Sequence, residues 1–248
     1  MQIVLMYHDI YRDNPAESGF QNPTAIKYKV RADRFEAQVA EIDEYLRINR
    51  LPASTVDFTF DDGGVSFLTL AAPILEKYGF RGKFYISTGL IGSKGFLNAQ
   101  QIRELHNRGH IIGSHSHTHP ERMSAMPAGK INQEWHISQT ILREILGQTP
   151  RYASIPNGYS SKAVLNAMID SGVSTIDTSA TTTQVSHYKG SCIRGRYAIT
   201  DNMSAGMVLH IFTSATFRLK KALRWHILSI AKALLGNTYL SIRSKLTK

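Results

Sequence analysis

The feature that most limits how this chain can fold is a regular alternation of two kinds of segment. Short apolar runs suited to buried strands stand at Ile3–Tyr7, Val56–Phe60, Lys83–Ser87, His110–Gly113, Tyr152–Ile155 and Val173–Ile176. Between them lie segments of helical periodicity: Arg34–Leu46 with Asp33 as its N-cap, Ser66–Tyr78 carrying Pro73, Asn98–Asn107 closed by Gly109, Pro127–Leu146, and Ser161–Asp170 ending at Gly172. Parallel strands need long crossovers, so strand-then-helix alternation predicts an α/β fold with a parallel sheet or barrel inside and helices outside. No repeat, low-complexity tract or linker interrupts the pattern, and 248 residues suit one domain.

The charge is unevenly spread. The 29 Lys+Arg and 19 Asp+Glu give a net +10, which first suggests nucleic acid. No acidic residue follows Asp201, however, and Arg218, Lys220, Lys221, Arg224, Lys232, Arg243, Lys245 and Lys248 all fall in the last 31 positions. Those eight leave 21 basic against 19 acidic residues in the rest of the chain, a body of about +2, so no nucleic-acid partner is expected. In the tail, Leu219, Leu223, Ile227, Ile230 and Leu234 recur at helical spacing, with Lys220, Lys221, Arg224 and Lys232 on the other side and Trp225 at the flank. Such a basic amphipathic helix lies on an anionic membrane through residues 218–248, or packs its stripe on the body with its lysines outward. The expected division is a body over 1–205 and a basic helical tail over 206–248.

Composition also bears on location. The single cysteine, Cys192, excludes an intrachain disulfide and suits a reducing compartment. The opening residues lack a basic leader region, and no apolar run approaches the roughly 18 residues of a membrane span. The expectation is a cytoplasmic protein, peripheral at the inner membrane if the tail docks there.

The residues that carry chemistry follow strands. Tyr7-His8, Asp61-Asp62, the cluster His115-Ser116-His117-Thr118-His119-Pro120 and Pro156-Asn157-Gly158 each come directly after an apolar run. In a β/α barrel those loops gather at one face, where catalytic groups collect. Neighbouring side chains on an extended segment point to opposite sides, so one aspartate of the Asp61-Asp62 pair can bind a cation while the other stays free as a base. His115 and His119, four residues apart, can converge on the same cation. Two imidazoles and a carboxylate leave an open position, as in catalytic metal sites. Zinc leads, with cobalt, manganese or ferrous iron accepted by the same donors. His117 has the wrong parity to join both neighbours and is expected at the rim.

Thr59-Phe60-Asp61-Asp62-Gly63 together with His115-Ser116-His117-Thr118-His119 closely resembles the first two motifs of the polysaccharide deacetylases, the NodB-homology or carbohydrate esterase 4 group. The resemblance spans roughly residues 1–200 and includes Met6-Tyr7-His8. It implies a distorted (β/α)7-type barrel, with Asp61 as catalytic base and Asp62, His115 and His119 as metal ligands. It also implies substrate contacts from Tyr7, Pro156, Asn157 and Gly158, and amide hydrolysis on an N-acetylated saccharide. Without a leader, that saccharide would be a lipid-linked or nucleotide-linked precursor in O-antigen or other cell-surface polysaccharide assembly.

Two departures mark the third and fifth motifs. The family's arginine two residues before Pro156 is replaced by Ser154, and Arg151 falls on the opposite strand face, so the base-orienting arginine is missing or comes from elsewhere. Val208-Leu209-His210 matches the acid-bearing motif loosely, which makes His210 either a general-acid candidate or a helix-face residue leading into the basic tail, with His8 the runner-up as acid or substrate contact. Asp177 falls in the region of the fourth motif, but Trp135 and Trp225 do not. Other readings keep the site for a small amide of the allantoin or cyclic-imide type, or make the chain a non-catalytic sugar-binding or assembly protein.

Overall fold

The first strand shows how the chain sorts its side chains. In β1 (Ile3–Tyr7), Ile3, Leu5 and Tyr7 join the main apolar core, so Val4 and Met6, and His8 just beyond, face the other way. The structure is a computed structural model that describes the backbone of residues 1–246 and the side chains of residues 1–230. Lys232, Leu234, Arg243, Lys245 and Lys248 of the expected tail lie outside the described side chains.

After β1 come β2 (Ile10–Tyr11), α1 (Pro23–Ile26) and β3 (Val30–Arg31), an excursion whose two strands pair with each other. The alternation then runs α2 (Ala32–Ile48), β4 (Val56–Phe60), α3 (Ala72–Lys77), β5 (Gly82–Ile86), α4 (Ala99–Asn107), β6 (Ile111–Ser114), α5 (Ala128–Leu146), β7 (Tyr152–Ser154), α6 (Lys162–Asp170) and β8 (Thr175–Asp177). A hairpin of β9 (Val185–Tyr188) and β10 (Ser191–Arg194) follows, then β11 (Tyr197–Ala198), α7 (Ala205–Thr213) and α8 (Ala215–Leu246).

The local signals are visible in the helices. Asn98 caps α4 in a reciprocal box with Gln101, and Ser161 caps α6. The expected cap Asp33 instead sits in the first turn of α2 and pairs with Arg31, the residue at the N-cap position. The segment carrying Pro73 opens as a π-turn over Phe67–Ala71 and becomes α-helical at Ala72, which puts the proline in a first turn where its missing N–H costs nothing.

One curled sheet runs in the order β11-β1-β4-β5-β6-β7-β8-β10-β9, parallel except for β9. Its closure is covalent. Residues 191–198 run in a single direction, pairing first with β8 and then, two residues on, with β1. Main-chain connection across Gly195-Arg196 thus ties the two ends of the sheet into the expected distorted barrel.

The apolar core lies outside this sheet, against α2, α3, α4 and α7, with a second cluster around Trp135 beneath α5 and α6. The inside is charged. On β4, Phe58 and Phe60 face the core, so Asp57 and Thr59 face inward, as does Asp61 beyond the strand. Lys83 pairs with Asp57; Arg194 reaches Asp57 at 2.6 Å and both oxygens of Asp177 at 2.8 Å; the Tyr85 hydroxyl donates to Asp177. Two acids and two bases balance, and removing one partner would strand a buried charge at a cost of about 3–5 kcal/mol.

Packing carries the body past residue 205, because Val208, Ile211 and Phe212 of α7 belong to the main core. From Ala215 the chain stands differently. Phe217, Arg218, Ala222 and Trp225 are half-buried, whereas Leu219 (70%), Leu223 (60%), Ile227 (58%) and Ile230 (59%) are exposed. The stripe turns outward and is not packed on the body. No described helix is long and apolar enough to cross a membrane.

Candidate active site

The site is built where β4 ends. Asp61 continues the inward face of the strand and is 3% exposed. Asp62 then adopts φ 87°, a left-handed conformation that aspartate tolerates better than most residues, and the turn aims its carboxylate at the loop after β6. There Asp62 Oδ1 lies 3.4 Å from His115 Nε2 and 3.3 Å from His119 Nε2.

The histidine loop is held by side chains from elsewhere. One carboxylate oxygen of Glu134, on α5, accepts from the backbone N–H groups of His117 (3.0 Å) and Thr118 (2.8 Å), and the other accepts from the Thr118 hydroxyl (2.6 Å). His119 N–H donates to Ser116 Oγ at 3.2 Å, and both residues have positive φ, 55° and 65°. These bends bring His119 back toward Asp62. His117 turns away, its Nδ1 3.0 Å from the Thr88 hydroxyl, as its parity predicts.

Asp61 has the partner that residue 154 lacks. Arg196, from the seam between β10 and β11, grips it with both terminal nitrogens, Nη1 to Oδ1 at 2.7 Å and Nη2 to Oδ2 at 2.8 Å. The guanidinium is fixed in turn by Thr59 Oγ1, by the Thr178 carbonyl and by the Tyr85 ring. Ser154, standing where the motif has arginine, donates its hydroxyl to Asp61 Oδ1 at 3.0 Å. Arg151 is exposed and takes no part. Burial alone would raise the pKa of Asp61, but the charges of Arg196 and His115 hold it below the usual carboxylate value, so the group is a carboxylate at neutral pH.

The geometry also assigns the histidine tautomer. Ser154 offers its carbonyl at 3.0 Å and its Oγ at 2.6 Å to His115 Nδ1. Since the serine proton goes to Asp61, Nδ1 carries hydrogen and Nε2 presents a lone pair toward Asp62. Asp62, His115 and His119 place three ligand atoms within 4.8 Å of one another. Burial would raise the Asp62 pKa, yet the two imidazoles pull it well below the usual carboxylate range, and burial would depress His119, yet Asp62 holds it up. The donor set fits a divalent metal with an open side at His119, whose side chain is 18% exposed against 2% for His115.

The family described as polysaccharide deacetylase matches residues 49–176, a span from the approach to β4 through β8. The chain belongs to the polysaccharide deacetylase family. A Streptococcus pyogenes deacetylase, PplD, solved in complex with acetate, is 27% identical and superposes with a TM-score of 0.65 over 84% of this chain and 96% of its own. A de-N-acetylase from Aggregatibacter actinomycetemcomitans shares the fold at 17% identity, TM-score 0.69, over 84% and 98%. A chitin deacetylase from Colletotrichum lindemuthianum is 29% identical over 102 residues. The chain spans 34% and 41% of the length of two curated relatives it matches.

Not every expected residue reaches the site. Tyr7 faces the core and not the cluster: it is buried, its hydroxyl donates to Gln38 at 3.0 Å, and its ring packs on Phe35 and Phe60. Strand parity puts it on the core side, opposite His8. His210 is also displaced. The β11 strand runs parallel to β1, so α7 returns toward the other end of the barrel and carries His210, exposed, against Phe217. His8 remains. Its ring lies tilted against Tyr28, and its Nδ1 is buried with no hydrogen-bond partner among the described residues. Burial lowers its pKa against the opposing pull of Asp62 and Asp61. Pro156, Asn157 and Gly158 form the turn after β7, where Asn157 Nδ2 donates to the Pro120 carbonyl at 3.5 Å beside the histidine loop.

Arg196 was not foreseen. Arg194 and Arg196 are two apart on an extended segment and so share a face, and that pairing is the one signal that could have suggested it.

Proposed function

We propose that this chain is a metal-dependent N-deacetylase that removes acetyl from an N-acetylated sugar during cell-surface polysaccharide assembly. The observation that carries the reading is the pairing of two units: the Asp62–His115–His119 cluster and, beside it, Asp61 clamped by Arg196. A divalent cation held by the three ligands, zinc first, would polarise the acyl oxygen and acidify the attacking water.

The chain's own residues divide the remaining work. Asp61 takes a proton from water as the oxygen adds to the amide carbon, and Arg196 keeps that carboxylate ionised and oriented. The C–N bond breaks as the departing nitrogen receives a proton, because an amine anion is not a viable leaving group. His8, whose buried Nδ1 has no hydrogen-bond partner among the described residues, passes to that nitrogen the proton Asp61 took from water; the products are acetate and the free amine. Arg196 also removes the main motive for reading the chain as a non-catalytic binder, since the arginine absent at position 154 is replaced.

The substrate is proposed to be a precursor of O-antigen type, lipid-linked, met at the cytoplasmic leaflet of the inner membrane. Support comes from α8, whose outward apolar stripe and basic residues suit an anionic lipid surface. The catalytic reading is tested by acetate release from N-acetylated oligosaccharides with and without chelator. Asp61→Asn is expected to lower turnover by about two decades or more while the protein retains its metal by elemental analysis. Undiminished activity in that variant removes Asp61 from the base role.

A further inference from the structure

The strap between β2 and β3, residues 12–29, takes no part in the chemistry above, yet it touches the site at two points. Phe20 lies against His119 with ring centroids 5.1 Å apart, and Tyr28 lies against His8 at 4.8 Å. A third ring, Phe96 in the loop after β5, meets Phe20 edge to face at 5.2 Å. Phe20 and Phe96 are only half-buried, and the ligand they adjoin, His119, is the most exposed of the three.

The backbone builds this pair. Each phenylalanine follows a left-handed glycine, Gly19 at φ 62° and Gly95 at φ 85°, and Gly19 N–H donates to the Gly95 carbonyl at 2.8 Å. A Cβ on Gly19 would stand 1.7 Å from Asp9 Oδ2, so no side chain fits there. The strap is fastened underneath. Lys29, 1% exposed, donates to the carbonyls of Pro15 and Ser18, and Asp9 accepts from the hydroxyls of Ser18 (2.6 Å) and Ser66 (3.0 Å). Buried charges are tolerated where each has such partners. The result is a rigid mount for two half-buried aromatic rings beside the open side of the metal cluster.

A rigid aromatic wall next to a polar reaction centre suits a ligand with an apolar face and a polar edge. A pyranose is such a ligand: its axial C–H groups pack flat on an aromatic ring while its substituents reach sideways. We propose that Phe20 and Phe96 form a saccharide-binding wall that holds the ring bearing the acetamido group, setting that group over Asp62, His115 and His119, and that Phe20 helps select the sugar. The wall rests on the N-deacetylase reading.

The test uses the full chain, metal-loaded, with fully N-acetylated chitotetraose as probe. Acetate release is measured for wild type, Phe20→Ala, Phe20→Leu and Phe20→Trp, with metal content and thermal midpoint for each. Phe20→Ala and Phe20→Leu are expected to raise KM about fivefold to tenfold with little change in kcat, whereas Phe20→Trp, which keeps a flat face, stays near wild type. Metal content is expected to be equal in all four. Unchanged KM in Phe20→Ala with an active wild type overturns the wall alone. Parallel loss of metal and kcat also overturns it, because Phe20 would then be a support for His119. A metal-loaded wild type that releases no acetate from this or other N-acetylated sugars overturns the deacetylase reading, and the wall with it.

Discussion

At the scale of single residues, the site turns on an exchange between two positions. Ser154 is small enough to bridge Asp61 and His115, and the space an arginine would fill from β7 is taken by Arg196 from the seam. Arg196→Ala should therefore lower kcat by about two decades, since it removes a buried bidentate pair, while the three ligands, which it does not touch, keep their metal. Arg196→Lys should fall between the two, because a point charge cannot hold both carboxylate oxygens. Steady-state acetate release with elemental analysis reads both. Full activity in Arg196→Ala would mean that Asp61 needs no clamp. The contrast in legibility has a physical basis. Asp61-Asp62 and His115–His119 stand in contiguous motifs at strand ends, so the sequence displays them. Arg196 meets Asp61 from 135 positions away, through a strand pairing that no local pattern announces.

At the scale of elements, what could be read was what is long and periodic. The strands β1 and β4 and the helix α5 lie within a residue of their expected spans because burial period and capping agree there. β6, β7 and β8, only three or four residues long, are legible because each stands between helical segments; β2, β3, β9, β10 and β11 are as short and lack that frame, and they bound the strap and supply the seam. Of the two readings of His210 the helical one holds: Val208-Leu209-His210 resembles a strand-end motif but lies on a helix running away from the site. The histidine loop likewise depends on an element remote from it. Glu134 of α5 satisfies three donors of residues 117–118. Glu134→Ala should loosen the loop and weaken metal affinity by about tenfold or more, as loss of a supporting hydrogen-bond partner typically does. Glu134→Gln, which keeps an acceptor, should lose less. Competition against a metallochromic chelator measures both, and unchanged affinity in Glu134→Ala would show that the bends at Ser116 and His119 hold without it.

For the whole molecule, the charge of +10 separates into a nearly neutral barrel and a basic appendage, and as far as residue 230 the apolar stripe of that appendage faces outward. A helix packed on the body would bury its stripe; here Leu219, Leu223, Ile227 and Ile230 are all more than half exposed, while the residues turned toward the body include Arg218 and Trp225. Apolar side chains flanked by the exposed Lys220 and Arg224 would suit a surface that is greasy below and anionic above, with about 1 kcal/mol expected per basic residue near it. The protein should sediment with vesicles containing anionic phospholipid, not with purely zwitterionic ones, and the binding should fall as salt rises through the Debye regime. Leu223→Glu combined with Ile227→Glu should abolish sedimentation while leaving acetate release from a soluble oligosaccharide unchanged, because neither residue contacts the barrel's site. Binding that persists in the double variant, or that ignores lipid charge, would count against the membrane assignment. So would sedimentation equilibrium showing that the stripe instead joins two copies of the chain.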